Sequence, residues 1–262
     1  MRHLPLLASG AAAQFPITKV RRLVTLLNET EGGNEVKLSR PDASRTRWVL
    51  EFAGLSDGER RALTDFFAEQ EGRLKTFVFV DPTANLLRHS EDFGQSAWLQ
   101  GPALVITPAG EGPAGTGPSS RLSNEGAAEQ RLEQTIATPS VLPYCFSVWA
   151  RSDQARPFSM VLRGGVETRK WFETGTVWRR YAMAVASAGD GETLTAAIEV
   201  GAGDWLEIAG MQLECQMAPS GYKKTFGRGG VYAKARFDSD QMEVRADGPD
   251  DYALTLTISA SE

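Results

Sequence analysis

The chain has 262 residues, of which 42% are hydrophobic and 23% charged, with a formal net charge of -5 at pH 7. Those are ordinary globular proportions, which exclude a disordered or collagen-like chain, and the length exceeds what one average core organises, so two domains are expected. Net negative charge gives no general attraction for phosphate backbones or anionic lipid, and no stretch approaches the roughly 20 apolar residues of a membrane span, so neither nucleic acid nor membrane insertion is expected.

Near the N-terminus Leu4 to Leu7 form a short apolar patch before Ala8-Ser9-Gly10. Pro5 interrupts it and it is shorter than the apolar core of a signal peptide, so no leader is expected there. A period of two follows, with Trp48, Leu50 and Phe52 pointing one way and Arg47, Val49 and Glu51 the other, which predicts a half-buried strand. Ser56-Asp57-Gly58-Glu59 is a capping box, since the Ser56 hydroxyl can accept from the Glu59 amide while the Glu59 carboxylate returns to the cap. Leu63, Phe66 and Phe67 then make one apolar stripe and Gly72 supplies a left-handed stop, predicting a helix near 56–71. Phe77 and Phe79 alternate with Val78 and Val80, and near the C-terminus Tyr252, Leu254, Leu256 and Ile258 alternate with Ala253, Thr255, Thr257 and Ser259. Strand, helix, strand and a distant last strand imply one sheet assembled from both chain ends.

Between them the texture changes. Pro108 to Ser120 reads as a Pro/Gly/Ser-rich loop, and after it come short alternating runs, Tyr144–Arg151, Phe158–Arg163, Trp178–Ala186 and Leu194–Val200. Runs of this length without helix signals predict a jelly-roll β-sandwich. The expected fold is therefore mainly β: a discontinuous β-sandwich or barrel-like domain with one helix, over 1–84 and 223–262, and a jelly roll over 85–222 inserted between Asp81-Pro82 and Gly227-Arg228-Gly229-Gly230.

Most motifs for chemistry fail on context. Gly110-Glu111-Gly112-Pro113-Ala114-Gly115 spells the dinucleotide fingerprint, but Pro113 removes an amide and no helical periodicity follows to receive a pyrophosphate. His3 and His89, the only histidines, sit in loop-like segments expected to be exposed, and one histidine per domain furnishes neither a triad nor a metal site. The expectation is a non-enzymatic protein without cofactor or metal. Cys145 and Cys215 lie in strand-like runs; one bridge or two buried thiols both fit, and a reduced compartment favours thiols.

One pattern does suggest recognition. In Tyr144–Arg151 the set Phe146, Val148 and Ala150 reads as core, which turns Ser147, Trp149 and Arg151 to the opposite face. Trp171 with Arg169 and Glu173 repeats the arrangement, and Arg163 can join it. A Trp ring beside guanidinium and carboxylate groups suits a saccharide, stacking on its C–H face while the charged groups bond its hydroxyls. The expected glycan face is thus Trp149, Arg151, Arg163, Arg169, Trp171 and Glu173. Tryptophan in a sandwich is also common core material, the reading given to Trp98 and Trp178.

Two resemblances follow from these motifs. Leu6-Leu7-Ala8-Ser9-Gly10-Ala11, Ala13-Gln14-Phe15-Pro16, Arg47–Phe52, Gly54-Leu55-Ser56, Leu63–Phe67, Gly72-Arg73, Phe77–Pro82 and Ala235–Asp240 resemble bacteriophage tail-tip proteins of the distal tail and minor tail group. Asn85-Leu86-Leu87, Ser90–Phe93, Trp98, Phe146–Arg151, Trp178–Tyr181, Gly210–Glu214 and Pro219–Tyr222 resemble carbohydrate-binding-module-like jelly rolls found in tail proteins. The resemblance implies a virion protein, made in the host cytoplasm and sited at the tail tip. It further implies a homohexameric ring between tail tube and tail tip, with tail tube and tail hub proteins as partners, and an insertion that meets host-surface saccharide. A secreted bacterial carbohydrate-binding or carbohydrate-active protein is the alternative.

Overall fold

The computed structural model describes residues 1–29, 32–40 and 43–261. It divides into two compact units, one of Arg2–Phe79 with Tyr232–Glu262 and the other essentially Val80–Val231, with Met1. The architecture is mainly β, with a single helix among the described residues.

The discontinuous unit begins with β1 (Ile17–Arg22), β2 (Thr25–Glu29), β3 (Glu35–Ser39), β4 (Arg45–Leu55), α1 (Asp57–Glu69) and β5 (Phe77–Val80). Between β5 and the closing strands run β6 (Leu99–Gln100), β7 (Leu104–Glu111), β8 (Pro118–Asn124), β9 (Gln130–Ile136), β10 (Tyr144–Arg151), β11 (Pro157–Arg163), β12 (Glu167–Glu173), β13 (Arg179–Val185), β14 (Leu194–Val200) and β15 (Trp205–Glu214). The chain closes with β16 (Val231–Phe237), β17 (Val244–Gly248) and β18 (Asp251–Ser261). Strands β1, β4, β18, β16 and β5 form one sheet in that order, and β17 pairs with β18. Because Trp48, Leu50 and Phe52 lie on one side of β4, they meet Ile258, Leu256 and Leu254 of β18 across the ladder. Both rows are buried.

The helix starts where its capping box requires. Glu59 N donates to Ser56 Oγ, and Ser56 N donates to Glu59 Oε2 at 2.9 Å. The Ser56 amide and hydroxyl, with Ala8 N, donate to the Glu59 carboxylate and hold it below its ordinary pKa. Leu63 and Phe66 are buried in the core with Trp48, Phe77 and Phe237, and Phe66 meets Phe77 edge-on with ring centroids 5.2 Å apart. The stop comes earlier than Gly72: Gln70 is the C-cap, and Glu71 already has φ 52° before Gly72 at 59°. Asp240 explains the glycine, since a Cβ at Gly72 would lie 2.7 Å from its Oδ1.

The Val80–Val231 unit is a sandwich of two five-stranded antiparallel sheets, β13-β10-β15-β8-β7 and β12-β11-β14-β9-β6. Inner faces supply Phe146, Val148, Ile208 and Leu213 from one sheet and Phe158, Met160, Leu162 and Ile198 from the other, all buried. Part of the stretch read as a loop, Pro108–Ser120, is instead a hairpin of β7 and β8 with a register shift between Pro108 and Gly110. A proline is tolerated because β7 is the sheet edge and the bulge absorbs it. His3 and His89 are half-buried rather than exposed; His89 N donates to Phe226 O and its carbonyl accepts from Asp92 N. Cys145 and Cys215 are free and buried, and burial pushes their thiols up to about 11 and about 12.

Candidate saccharide-binding face

The six residues expected to form one face divide between the two sheets. Trp149 and Arg151 stand on β10, while Arg163 stands on β11 and Arg169, Trp171 and Glu173 on β12. Each points away from the core of its own sheet, as alternation implied: Phe146, Val148 and Ala150 are buried while Trp149 and Arg151 are half-buried. The structure therefore brings four of the six together and leaves two on the other sheet.

On the β12–β6 sheet, the registers put Trp171, Ser159, Glu199 and Arg131 in a single row across four strands. Next to it runs Arg169, Val161, Ala197 and Glu133, and beyond that Glu167, Arg163, Thr195 and Thr135. Glu199 is 0% exposed although it lies on an outward face. Its carboxylate accepts from Ser159 Oγ and Arg131 Nε, and from Arg169 Nη2 at 3.0 Å. Arg169 Nη1 also reaches Glu129 Oε2 at 3.1 Å, and Arg131 Nη2 reaches Glu167 Oε1 at 3.5 Å. Burial works against the Arg131 charge, but Glu199, Glu167 and Glu133 outweigh it and raise its pKa. A clamped carboxylate fixes both guanidinium planes before any ligand arrives, which removes part of the ordering cost of binding.

Trp171 supplies the apolar platform. It is 58% exposed, with Arg169 5.7 Å from its ring centroid. Its neighbour Phe172 turns inward and stacks on Phe158 at 5.6 Å, so the strand cannot roll without losing core contacts. Arg163 lies 3.8 Å from Glu133 and Glu173 sits exposed two residues beyond Trp171. Three arginines and five glutamates face outward here (Arg131, Arg163, Arg169; Glu129, Glu133, Glu167, Glu173, Glu199), a local balance of -2 that disfavours an anionic ligand.

The other sheet holds a cluster that sequence reasoning missed. Arg151 and Arg121 clamp Glu207 at 2.7 and 3.1 Å. Trp178, read as packing, is half-exposed with Arg151 4.7 Å from its ring centroid, and Trp205 carries Arg121 at 3.9 Å and Arg156 at 5.3 Å. Trp171 also has a guanidinium beside it, but it is the most open tryptophan on either sheet. Outward alternation of Trp205 and Glu207 along β15 was the available signal; Arg121 lies 86 residues from Glu207, a pairing that only the fold reveals.

No protein-family model and no curated protein matches the chain. Among solved structures it is similar to the enzymatically active domain of tailspike protein 4 from bacteriophage CBA120, at 13% identity over 52% of this chain and 22% of that one, with a TM-score of 0.43. It is also similar to a family 61 carbohydrate-binding module solved with β-1,4-galactotriose, at 20% identity over 50% of this chain and 99% of that one, TM-score 0.39. A third is the C-terminal family 22 carbohydrate-binding module of Clostridium thermocellum Xyn10B, at 16% identity over 53% of this chain and 100% of that one, TM-score 0.41. The chain spans about a fifth of the tailspike structure's length.

Proposed function

We propose that this is a structural protein of a phage tail tip, in which the discontinuous unit assembles with further copies into a ring and the inserted sandwich binds a neutral saccharide. The observation that carries the assembly is the β2–β3 hairpin. It forms a two-stranded sheet of its own, and the pairs Leu26–Leu38 and Asn28–Val36 put three apolar side chains on one face. All are exposed, Leu38 at 49%. An isolated two-stranded sheet is marginal in water, and burying half of each such side chain contributes about 1 kcal/mol. A second copy of the chain is the occupant that satisfies both facts and agrees with the tail-tip motifs.

For the sandwich, the support is the open Trp171 ring beside guanidinium groups locked by Glu199. Mass measurement in solution together with a glycan array tests the reading. The expected result is a closed oligomer, hexameric on the resemblance, that Leu26→Asp with Leu38→Asp reduces to monomer. On the array, binding to neutral glycans should weaken about tenfold or more in Trp171→Ala, the scale of a hot-spot aromatic, and persist in Trp178→Ala. A chain monomeric at high concentration overturns the ring. Glycan binding without assembly favours a carbohydrate-binding protein outside any virion, a reading that the same Trp171 face supports.

A further inference from the structure

The six-stranded sheet of the discontinuous unit carries its apolar core on the side of α1, and its opposite face collects cations. The registers align Val20, Arg47, Ser259 and Arg236 in one row across β1, β4, β18 and β16. Arg22, Arg45 and Ser261 form the next row, and Lys234 follows two residues from Arg236 on β16. All five basic residues are exposed. The acidic groups nearest these rows are Asp238, whose Oδ2 lies 3.2 Å from Arg47 Nε, and Glu51, four residues along β4; farther along, on β17, Asp247 is paired with Arg245. Arg22, Arg45 and Arg236 have no ion-pair partner among the described residues.

An independent feature lies in the middle of the first row. Ser259 is 4% exposed, and its hydroxyl has no hydrogen-bond partner among the described residues. A buried hydroxyl flanked by two arginines across the ladder is a donor without its acceptor, and the acceptor its neighbours favour is an oxyanion. The two rows lie two residues apart along the strands, about 6.7 Å, on the order of the through-space separation of neighbouring phosphates along a nucleic-acid strand.

We propose that this face binds the phosphodiester backbone of a nucleic-acid strand, with one phosphate between Arg47 and Arg236 receiving the Ser259 hydroxyl proton in a hydrogen bond and another beside Arg22, Arg45 and Ser261. No aromatic side chain lies in either row, so bases have nothing to stack on and the contact is indifferent to sequence. The net charge of -5, which argued against nucleic acid, is an average over the chain; a strand meets the local field of the face it touches. The inference rests on neither the ring nor the saccharide reading.

The test is fluorescence anisotropy of labelled oligothymidylate of about 20 nucleotides with the full chain over a salt series. Binding should weaken steeply with salt, and Arg47→Gln with Arg236→Gln should cost about tenfold or more in affinity and flatten the logarithmic salt slope by about 1.4. Ser259→Ala should cost about threefold, Arg22→Gln with Arg45→Gln should weaken binding independently of the first row, and Arg61→Gln on the helix should change nothing. Circular dichroism checks each fold. No binding at about 50 mM salt, where such contacts are strong, overturns the proposal. So does equal loss in Arg61→Gln, or pyrophosphate binding as tightly as the oligonucleotide. A change in oligomer mass without nucleotide binding reassigns the face to contacts between copies and equally overturns it.

Discussion

The two units place their apolar residues differently. In the sandwich, Phe146, Val148, Phe158, Met160, Ile198 and Ile208 are at most 1% exposed, and even its outward carboxylates Glu199 and Glu207 are clamped by arginine pairs. The discontinuous unit has an equally closed core around Trp48 and Phe237, yet it leaves Val20, Leu23, Leu26, Leu27, Val36 and Leu38 in solvent. The sandwich exposes apolar side chains too, Leu99, Trp171, Val177 and Phe226 among them, at separated chain positions. The discontinuous unit instead concentrates Leu26, Leu27, Val36 and Leu38 on one two-stranded sheet, a surface that assembly would cover. The difference teaches where substitutions should act: on stability in the sandwich, and on association at the hairpin.

The largest expected effect tests the closed core of the sandwich. Phe146→Ala removes a fully buried ring and should cost about 3–5 kcal/mol in urea unfolding monitored by tryptophan fluorescence. A loss below about 1 kcal/mol would mean the sheets do not close on one core. Glu199→Ala comes next, because it leaves Arg131 and Arg169 without their shared carboxylate. Both arginines are partly exposed, at 29% and 31%, so the cost is about 2 kcal/mol, beneath the range for a wholly buried pair. Ser56→Ala removes the cap of α1 and should cost about 1 kcal/mol, read in the transition of the discontinuous unit.

Acid provides a further probe of the sandwich. Burial raises the pKa of Glu214, but donors from Ser220 and Lys223 outweigh it and leave the carboxyl lowered. A depressed folded pKa gives stability that is full above the ordinary glutamate value and lost as pH falls through the folded one. Unfolding titrations should therefore show Glu214→Gln flattening the acid limb of stability, with no change of slope near neutral pH.

Much of the fold was legible because its signals are local. The Ser56–Glu59 spacing marked the helix start, and Trp48, Leu50 and Phe52 marked the buried side of β4. The division of the glycan face was not legible. Alternation says that Trp149 and Trp171 each point away from their own core, but whether two strands share a sheet depends on pairing across the chain, and β10 pairs with β13 and β15 while β12 pairs with β11. The β2–β3 hairpin escaped for another reason. Thr25-Leu26-Leu27-Asn28-Glu29 breaks the period of two, leaving Gly32-Gly33 as its main turn signal. The orphaned Ser259 hydroxyl had no local signal, since an unmade hydrogen bond becomes visible only when its neighbours are in place.

The smallest expected change in stability is the one that most sharply separates the units. Leu26 and Leu38 face each other, 42% and 49% exposed, on a two-stranded sheet outside the core cluster. Replacing both with aspartate therefore loses burial within the hairpin alone and leaves the core packing untouched, although the like charges placed opposite each other oppose pairing by a few tenths of a kcal/mol. The net effect on monomer unfolding should stay near 0.5 kcal/mol, the range of ordinary surface substitutions. If the apolar face is an interface, the same pair must desolvate two carboxylates against apolar surface in every copy, a penalty of several kcal/mol per contact. Oligomer mass should then collapse while the unfolding midpoint scarcely moves. Sedimentation and denaturation on the same variant distinguish the cases: a large stability loss would show that the hairpin is held within its own chain, and the contrast between a closed sandwich and an open assembly unit would fail at that point.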